Sequence, residues 1–213
     1  MICNKTIAIS CAGMGTRLGI GTTKALVDVA GKPLIVRQLE QLKDYEDVRI
    51  IVGYQAEQVI EIVKAYRKDV TFCFNYEYKT TGTAASFSKA LIGCKELIVA
   101  FDGDLLVHPD DLKRFLAQDE NCVGGTIPVT DNPVLMTLDK NDNVIEFSRD
   151  HGTLEWTGLA QIHASLIKPG KGHVYQIIEP LMPIKVMKIR TKEIDTMDDY
   201  ESAVAWFKNG YRG

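Results

Sequence analysis

Ile7-Ala8-Ile9-Ser10-Cys11-Ala12-Gly13-Met14-Gly15-Thr16-Arg17-Leu18-Gly19 runs from an apolar segment straight into a loop of small residues, which Lys24 closes. The apolar part reads as a buried strand. The loop behind it frees backbone N–H groups to face an anion. Arg17 and Lys24 add fixed positive charge, a combination better suited to a polyphosphate than to a neutral ligand.

Outward from this loop, strand-like and helix-like segments alternate. Pro33 opens a helix with Val36, Leu39 and Leu42 on one face. Val48 to Gly53 reads as the second strand, and Ala56, Val59, Ile60, Val63 and Tyr66 mark a second helix. Val70 to Phe74, a helix over Thr83 to Leu91, and the strand Leu97 to Phe101 follow. A Pro109 helix then carries Leu112, Phe115 and Leu116. This βαβα order predicts a parallel sheet with helices on both faces. From about 122 to 164, short β-rich runs are divided by Asp131-Asn132-Pro133 and Asn141-Asp142-Asn143, so antiparallel additions are expected there. A helix near Ile177, a strand over Ile184 to Ile189 and a helix from Met197 to about Phe207 complete the reading. No repeat or linker divides the chain, so one domain over 1–213 is expected.

Length and composition narrow the function. The chain has 213 residues, 46% hydrophobic and 25% charged, with a net charge of −3. That balance fits a globular protein and argues against nucleic-acid binding by bulk electrostatics. No signal peptide or membrane-length apolar run is present, so a cytoplasmic protein without a membrane partner is expected. Cys3, Cys11, Cys73, Cys94 and Cys122 lack metal-type spacing and read as buried reduced thiols.

Ligands of open α/β sheets gather at the carboxyl ends of the strands. The second strand ends at Gly53-Tyr54. The third leads to Thr80-Thr81-Gly82-Thr83-Ala84, a loop of small residues, and the fourth ends in Asp102-Gly103-Asp104. A triphosphate arrives with magnesium, which takes oxygen ligands and keeps several waters. The aspartates suit it. Asp195 is a further candidate, because Thr196 fits an N-cap with Asp198 and Asp199 in the first helical turn, leaving Asp195 outside the helix.

The stretches Ala12 to Lys24, Val29-Ala30-Gly31-Lys32-Pro33-Leu34, Val52-Gly53-Tyr54-Gln55, Thr81-Gly82-Thr83-Ala84-Ala85-Ser86, Asp102-Gly103-Asp104 and Glu193-Ile194-Asp195-Thr196 resemble, in that order, the sugar-1-phosphate nucleotidyltransferases. The resemblance implies a three-layer α/β/α Rossmann-like fold with a mostly parallel central sheet. It implies transfer of a nucleoside monophosphate from a nucleoside triphosphate to a sugar 1-phosphate. Arg17 would contact the triphosphate and Lys24 the reacting phosphate. Ala12, Gly13, Met14, Gly15, Thr16 and Asp102 would line the nucleotide, with Gly82 and Thr83 near the base. Asp104 and Asp195 would hold Mg²⁺, and Glu155, Trp156 and Gly158 would meet the acceptor. Thr23, rather than proline, precedes Lys24, and Arg17 lies seven positions before it. This shorter loop is closer to branches that use molybdopterin or small alcohol phosphates. Cytidylyl transfer to phosphocholine, or to another small alcohol phosphate or phosphonate, is therefore the alternative.

Blander readings stand beside these. The glycine loop alone fits a tight strand-to-helix turn, and it is neither a P-loop nor a dinucleotide fingerprint, since Leu18 takes the third glycine position. An oxidoreductase or a non-catalytic nucleotide sensor is the alternative from another class, but Gly53 and Tyr54 stand where an oxidoreductase needs a ribose-binding acid. Asp102 and Asp104 fit a turn and Asp195 a solvated acid. Trp156 fits core or pocket wall. His108, His151, His163 and His173 read as surface or core residues, and Lys188, Arg190 and Lys192 as one wet strand face. The sequence leaves a homo-oligomer open.

Overall fold

The computed structural model describes residues 4–212. The parallel part of the sheet contains β1 (Lys5–Cys11), β2 (Asp47–Val52), β3 (Val70–Phe74) and β4 (Leu97–Asp102). The helices between them are α1 (Leu34–Gln41), α2 (Ala56–Tyr66) and α3 (Thr83–Lys89). A short β5 (Leu105–Val107) leads to α4 (Pro109–Leu116). Then come β6 (Cys122–Thr126), β7 (Leu135–Leu138), β8 (Asn143–Ser148) and the long β9 (Leu154–His163). The chain ends with α5 (Val174–Ile178), β10 (Ile184–Lys188), β11 (Thr191–Glu193) and α6 (Met197–Lys208).

The main sheet has nine strands in the order β3-β2-β1-β4-β9-β6-β10-β8-β7. β1 pairs in parallel with both β2 and β4, placing Ile7 opposite Val48 and Val99. β9 enters antiparallel against β4, with Ala160 opposite Ala100. The expected parallel sheet with antiparallel additions is therefore present.

Period-two alternation sorts the strand side chains between two cores. Ile7, Ile9, Ile50, Val99 and Phe101 pack with α1, α2 and α4 through Leu39, Val59 and Phe115. Ala8, Ile51, Ile98 and Ala100 face the other way, onto Phe87 of α3, Ala90 at its end, and Val174 and Ile178 of α5. Three layers result because central strands are apolar on both faces. A third cluster joins α6 to the first loops through Trp206, Ala203, Ile194, Leu18 and Val29.

Two local features depart from the expectations. The alternation from Lys188 to Lys192 is not one strand. It breaks at Ile189 and Arg190, where the Arg190 guanidinium donates to the Asp111 carboxylate, and the chain resumes as β11. β11 then pairs antiparallel with β5 in a separate two-stranded ribbon. Of the cysteines, Cys11 and Cys122 are buried while Cys73 and Cys94 are only partly so, all free; Cys3 lies outside the described residues. Among the described residues, no helix is long and apolar enough to cross a membrane.

Candidate active site

The glycine loop is held from the exit of β2. The Tyr54 N–H donates to the Ala12 carbonyl. Gln55, whose φ is 50°, accepts from the Thr23 N–H at 2.8 Å and the Thr22 hydroxyl at 3.0 Å, fixing the approach to Lys24. Gly15 turns at a φ of 62°, where a Cβ would come within 3.1 Å of Lys24 Cγ, so both dihedral and space require glycine. Among the described residues, no backbone N–H from Gly13 to Arg17 has a hydrogen-bond partner. A run of free amide donors is what an anion-binding loop offers.

The Asp102-Gly103-Asp104 turn is equally constrained. The Gly103 N–H donates to the Ser10 carbonyl at 3.0 Å, and a Cβ there would sit 2.5 Å from that oxygen. Buried Gln38 donates to the carbonyls of Asp102 and Leu105, pinning the turn from behind. The β5–β11 ribbon then brings distant acids to it. Glu193 lies opposite Leu105, and the Ile194 N–H donates to the Asp104 carbonyl at 3.0 Å. Asp104, Glu193 and Asp195 each place a carboxylate oxygen within 4.8 Å of the others.

Lys24 sits among these acids, 2.8 Å from the Asp104 carboxylate and bonded also to Asp195, while Arg17 pairs with Asp195 from an exposed position. Burial pulls the Lys24 ammonium down, but the Asp104 and Asp195 carboxylates outweigh it and hold it above the ordinary lysine value. Burial, then the Asp104 charge, pushes Glu193 up to about 8. Asp102 is raised well above the carboxylate range by burial, then by Asp104 and Glu193. Crowded acids whose ionisation is resisted in this way form a strong local demand for a cation.

One cavity of about 950 Å³ collects most of the residues expected from sequence: Ala12, Gly13, Arg17, Lys24, Gly82, Thr83, Asp102, Asp104, Glu155, Trp156, Gly158 and Asp195. Met14 and Thr16 do not line it, and Gly15 borders only a small adjoining pocket. Met14 turns toward solvent because the following residues wind into a 3-10 turn, Thr16–Leu18, that buries Leu18. Glu155 reaches the wall, but its carboxylate accepts from the Val129 N–H and from Thr130, so it holds that loop. Trp156 packs edge-on against Phe147 while lining the cavity. Gly158, at a φ of 78°, leaves room for Asp102, whose Oδ2 would lie 2.2 Å from a Cβ.

Sequence reasoning missed Glu193, two positions before Asp195. It also missed the latch between residues 171–174 and the third loop. The Gly82 N–H donates to the Lys171 carbonyl, and the Val174 N–H donates to the Thr83 hydroxyl. His173, expected at the surface or in the core, caps α5, stacks on Tyr175 and lines the cavity. The other histidines are peripheral. His108 accepts from the Asp110 N–H at the start of α4, His151 meets Glu146, and His163 meets Asn121.

The MobA-like NTP transferase domain family matches residues 7–161, which span the glycine loop, the third loop, the Asp-Gly-Asp turn and most of β9. The chain belongs to that family. The bifunctional protein GlmU of Methanococcus maripaludis is 31% identical over 186 residues, covering 82% of this chain and 42% of that protein. The chain thus spans about two fifths of the length of that curated relative. The inositol-1-phosphate CTP transferase of T. maritima superposes with a TM-score of 0.79 at 18% identity, over 100% of this chain and 99% of that one. The CTP:phosphocholine cytidylyltransferase LicC of Streptococcus pneumoniae gives 0.75 at 21% identity, over 95% and 99%. These two likenesses establish the Rossmann-like fold of nucleotidyltransferases.

Proposed function

We propose that this chain is a single-domain nucleotidyltransferase that moves a nucleoside monophosphate from a nucleoside triphosphate to a sugar 1-phosphate, releasing pyrophosphate. The observation that carries the reading is the convergence of Arg17, Lys24 and the unpartnered loop amides with Asp104, Glu193 and Asp195 in one cavity. Cations and free amide donors face one wall of acids there, the arrangement a polyphosphate and its counter-cation need together.

The acids fit Mg²⁺. They offer oxygen alone, and the Lys24 ammonium already stands as a cation between two of them. Asp104, Glu193 and Asp195 would hold the ion, which supplies charge neutralisation at the phosphates. In the reaction, an oxygen of the acceptor phosphate forms a bond to the α-phosphorus as the bond to the bridging α–β oxygen breaks, and pyrophosphate leaves. The acceptor's second phosphate pKa is about 6, so its dianion attacks without a general base. The chain's task is to align two anions and offset their repulsion. Lys24 and Arg17, with the amides of Gly13 and its neighbours, perform that task at the triphosphate.

A second reading is favoured by the aromatic rings of Trp156 and Tyr175 on the same cavity wall, which suit a cationic alcohol phosphate such as phosphocholine. Pyrophosphate release, measured for UTP, CTP, GTP, ATP and dTTP against a panel of sugar 1-phosphates and phosphocholine with Mg²⁺, tests both. Turnover with a sugar 1-phosphate supports the first reading and with phosphocholine the second. No turnover with any pair overturns both.

A further inference from the structure

Asn75 follows β3 and is 1% exposed, and its side-chain amide ties together Thr81 and Ser86, which both line the cavity. Its backbone N–H extends the sheet by donating to the Val52 carbonyl at 2.9 Å. Its Oδ1 accepts from the Glu77 N–H at 3.1 Å. A backbone N–H can only donate, so this bond identifies Oδ1 and leaves Nδ2 as the donor end of the amide. Nδ2 then reaches Thr81 Oγ1 at 3.2 Å and Ser86 Oγ at 3.0 Å. The Thr81 hydroxyl spends its own proton on the Glu77 carbonyl at 2.8 Å, which confirms that it accepts from Asn75.

The polarity of the network propagates to Ser86. Its oxygen accepts from Asn75, and its proton has no acceptor among the described residues. Ser86 is 6% exposed and lines the cavity beside Gly82 and Thr83. A buried hydroxyl that has accepted one hydrogen bond and donated none is an unspent donor, and leaving it so carries a desolvation penalty. The space it faces is the cavity.

We infer that Asn75 is a positioning residue that holds the Ser86 hydroxyl as a hydrogen-bond donor to an acceptor atom of the nucleoside. This inference rests on the nucleotidyltransferase reading and assigns that cavity wall a specific polarity. The wall is also rigid where the donor sits. A Cβ on Gly82 would lie 2.2 Å from the Gly172 carbonyl oxygen, so the third loop is clamped between Asn75 behind it and the 171–174 latch in front. A donor held in a fixed direction distinguishes nucleosides with an acceptor at that point from those without one.

Calorimetric titration of the protein with UTP, CTP, GTP, ATP and dTTP in turn, with Mg²⁺ and no acceptor, separates the two levels. If the wild-type protein binds none of them, the nucleotidyltransferase reading fails. If it binds, Ser86→Ala weakens the preferred triphosphate about three- to tenfold, as expected for one net hydrogen bond. In pyrophosphate-release assays with the acceptor that supports turnover, the loss appears in KM for the nucleotide and not in KM for the acceptor. Asn75→Asp keeps the acceptor for the Glu77 N–H but places an acceptor where Nδ2 stood. The Ser86 proton is then drawn away from the cavity, giving the same loss, and combining it with Ser86→Ala adds nothing further. Wild-type affinity in Ser86→Ala overturns the inference, and so do losses that multiply in the double variant. If thermal unfolding shows that Asn75→Asp does not fold, Ser86→Ala decides alone: weaker binding of the preferred triphosphate supports the inference, and wild-type affinity overturns it.

Discussion

The two halves of the sheet build their walls of the cavity differently. On the β1–β4 side the walls are loops at the carboxyl ends of parallel strands, each fixed by backbone bonds from its neighbour: Tyr54 to Ala12, Gly103 to Ser10, Asn75 to Val52. On the β6–β9 side the wall is a loop, residues 129–134, held by the Glu155 carboxylate at Val129 and Thr130, by the Arg149 guanidinium at the Asn132 carbonyl, and by a backbone bond only at its end, from the Trp156 N–H to the Val134 carbonyl. Val129 at its start and Ile127 just before it are 70% and 75% exposed. The first half presents a rigid, polar surface suited to a ligand part common to all substrates. The second is held, up to its last residue, by side-chain contacts that can change without disturbing the sheet, which suits it to the part that varies.

Substitutions can break or sharpen that contrast, beginning with the largest effect. Asp104→Asn or Asp195→Asn lowers pyrophosphate release at least about 10²-fold, with a circular dichroism spectrum like that of the wild type, because the acids serve the ligand more than the fold. Near-wild-type turnover in either variant would remove them from the ion. Next comes Arg17→Ala, at roughly tenfold or more. Arg17 is 68% exposed and, among the described residues, paired only with Asp195, so its loss shows in kcat if it meets charge developing in the transition state, and in KM alone if it merely tethers nucleotide.

Glu155→Gln tests the other wall. It weakens the hold on the Val129 and Thr130 N–H groups, raising KM for the acceptor by about three- to tenfold while KM for the nucleotide stays put. A matching rise in both would mean that the walls are not independent. The smallest effect is far from the cavity. The Arg190 guanidinium, with Arg114, holds the Asp111 carboxyl below its ordinary value of 3.8 against the opposing effect of burial. A depressed carboxylate gives stability that is present above pH 3.8 and lost as the pH falls through its lower, folded-state value. Asp111→Asn therefore unfolds more readily than the wild type in a neutral thermal melt, and the gap narrows in melts below pH 3.8. Turnover is unaffected.

The same contrast explains what was legible in the sequence. The β1–β4 half follows local rules, apolar runs and Pro33 before α1, and so does α6 at the far end of the chain, where Thr196 caps it with Asp199. The loop residues Gly13, Arg17, Lys24 and Asp104 could be placed because they follow strands directly. Glu193 was not legible as a cavity residue, because only the pairing of β11 with Leu105-Leu106-Val107 carries it there, and that three-residue strand has no periodicity to detect. Glu155 was legible as a wall residue but not as the anchor of residues 129 and 130, a contact across 25 or more positions. The break after Lys188 was hidden for a similar reason, since Arg190 turns toward Asp111 in α4.

The central claim is that the Gly13–Arg17 loop and Lys24 grip phosphate while Asp104, Glu193 and Asp195 clasp a divalent ion. The most direct measurement is a crystal structure with the preferred triphosphate and Mn²⁺, using the metal's anomalous signal to find it. The account predicts one peak among the three carboxylates, with Lys24 turned from them to a phosphate. Density for nucleotide away from the loop, or no peak at the acids, would contradict it.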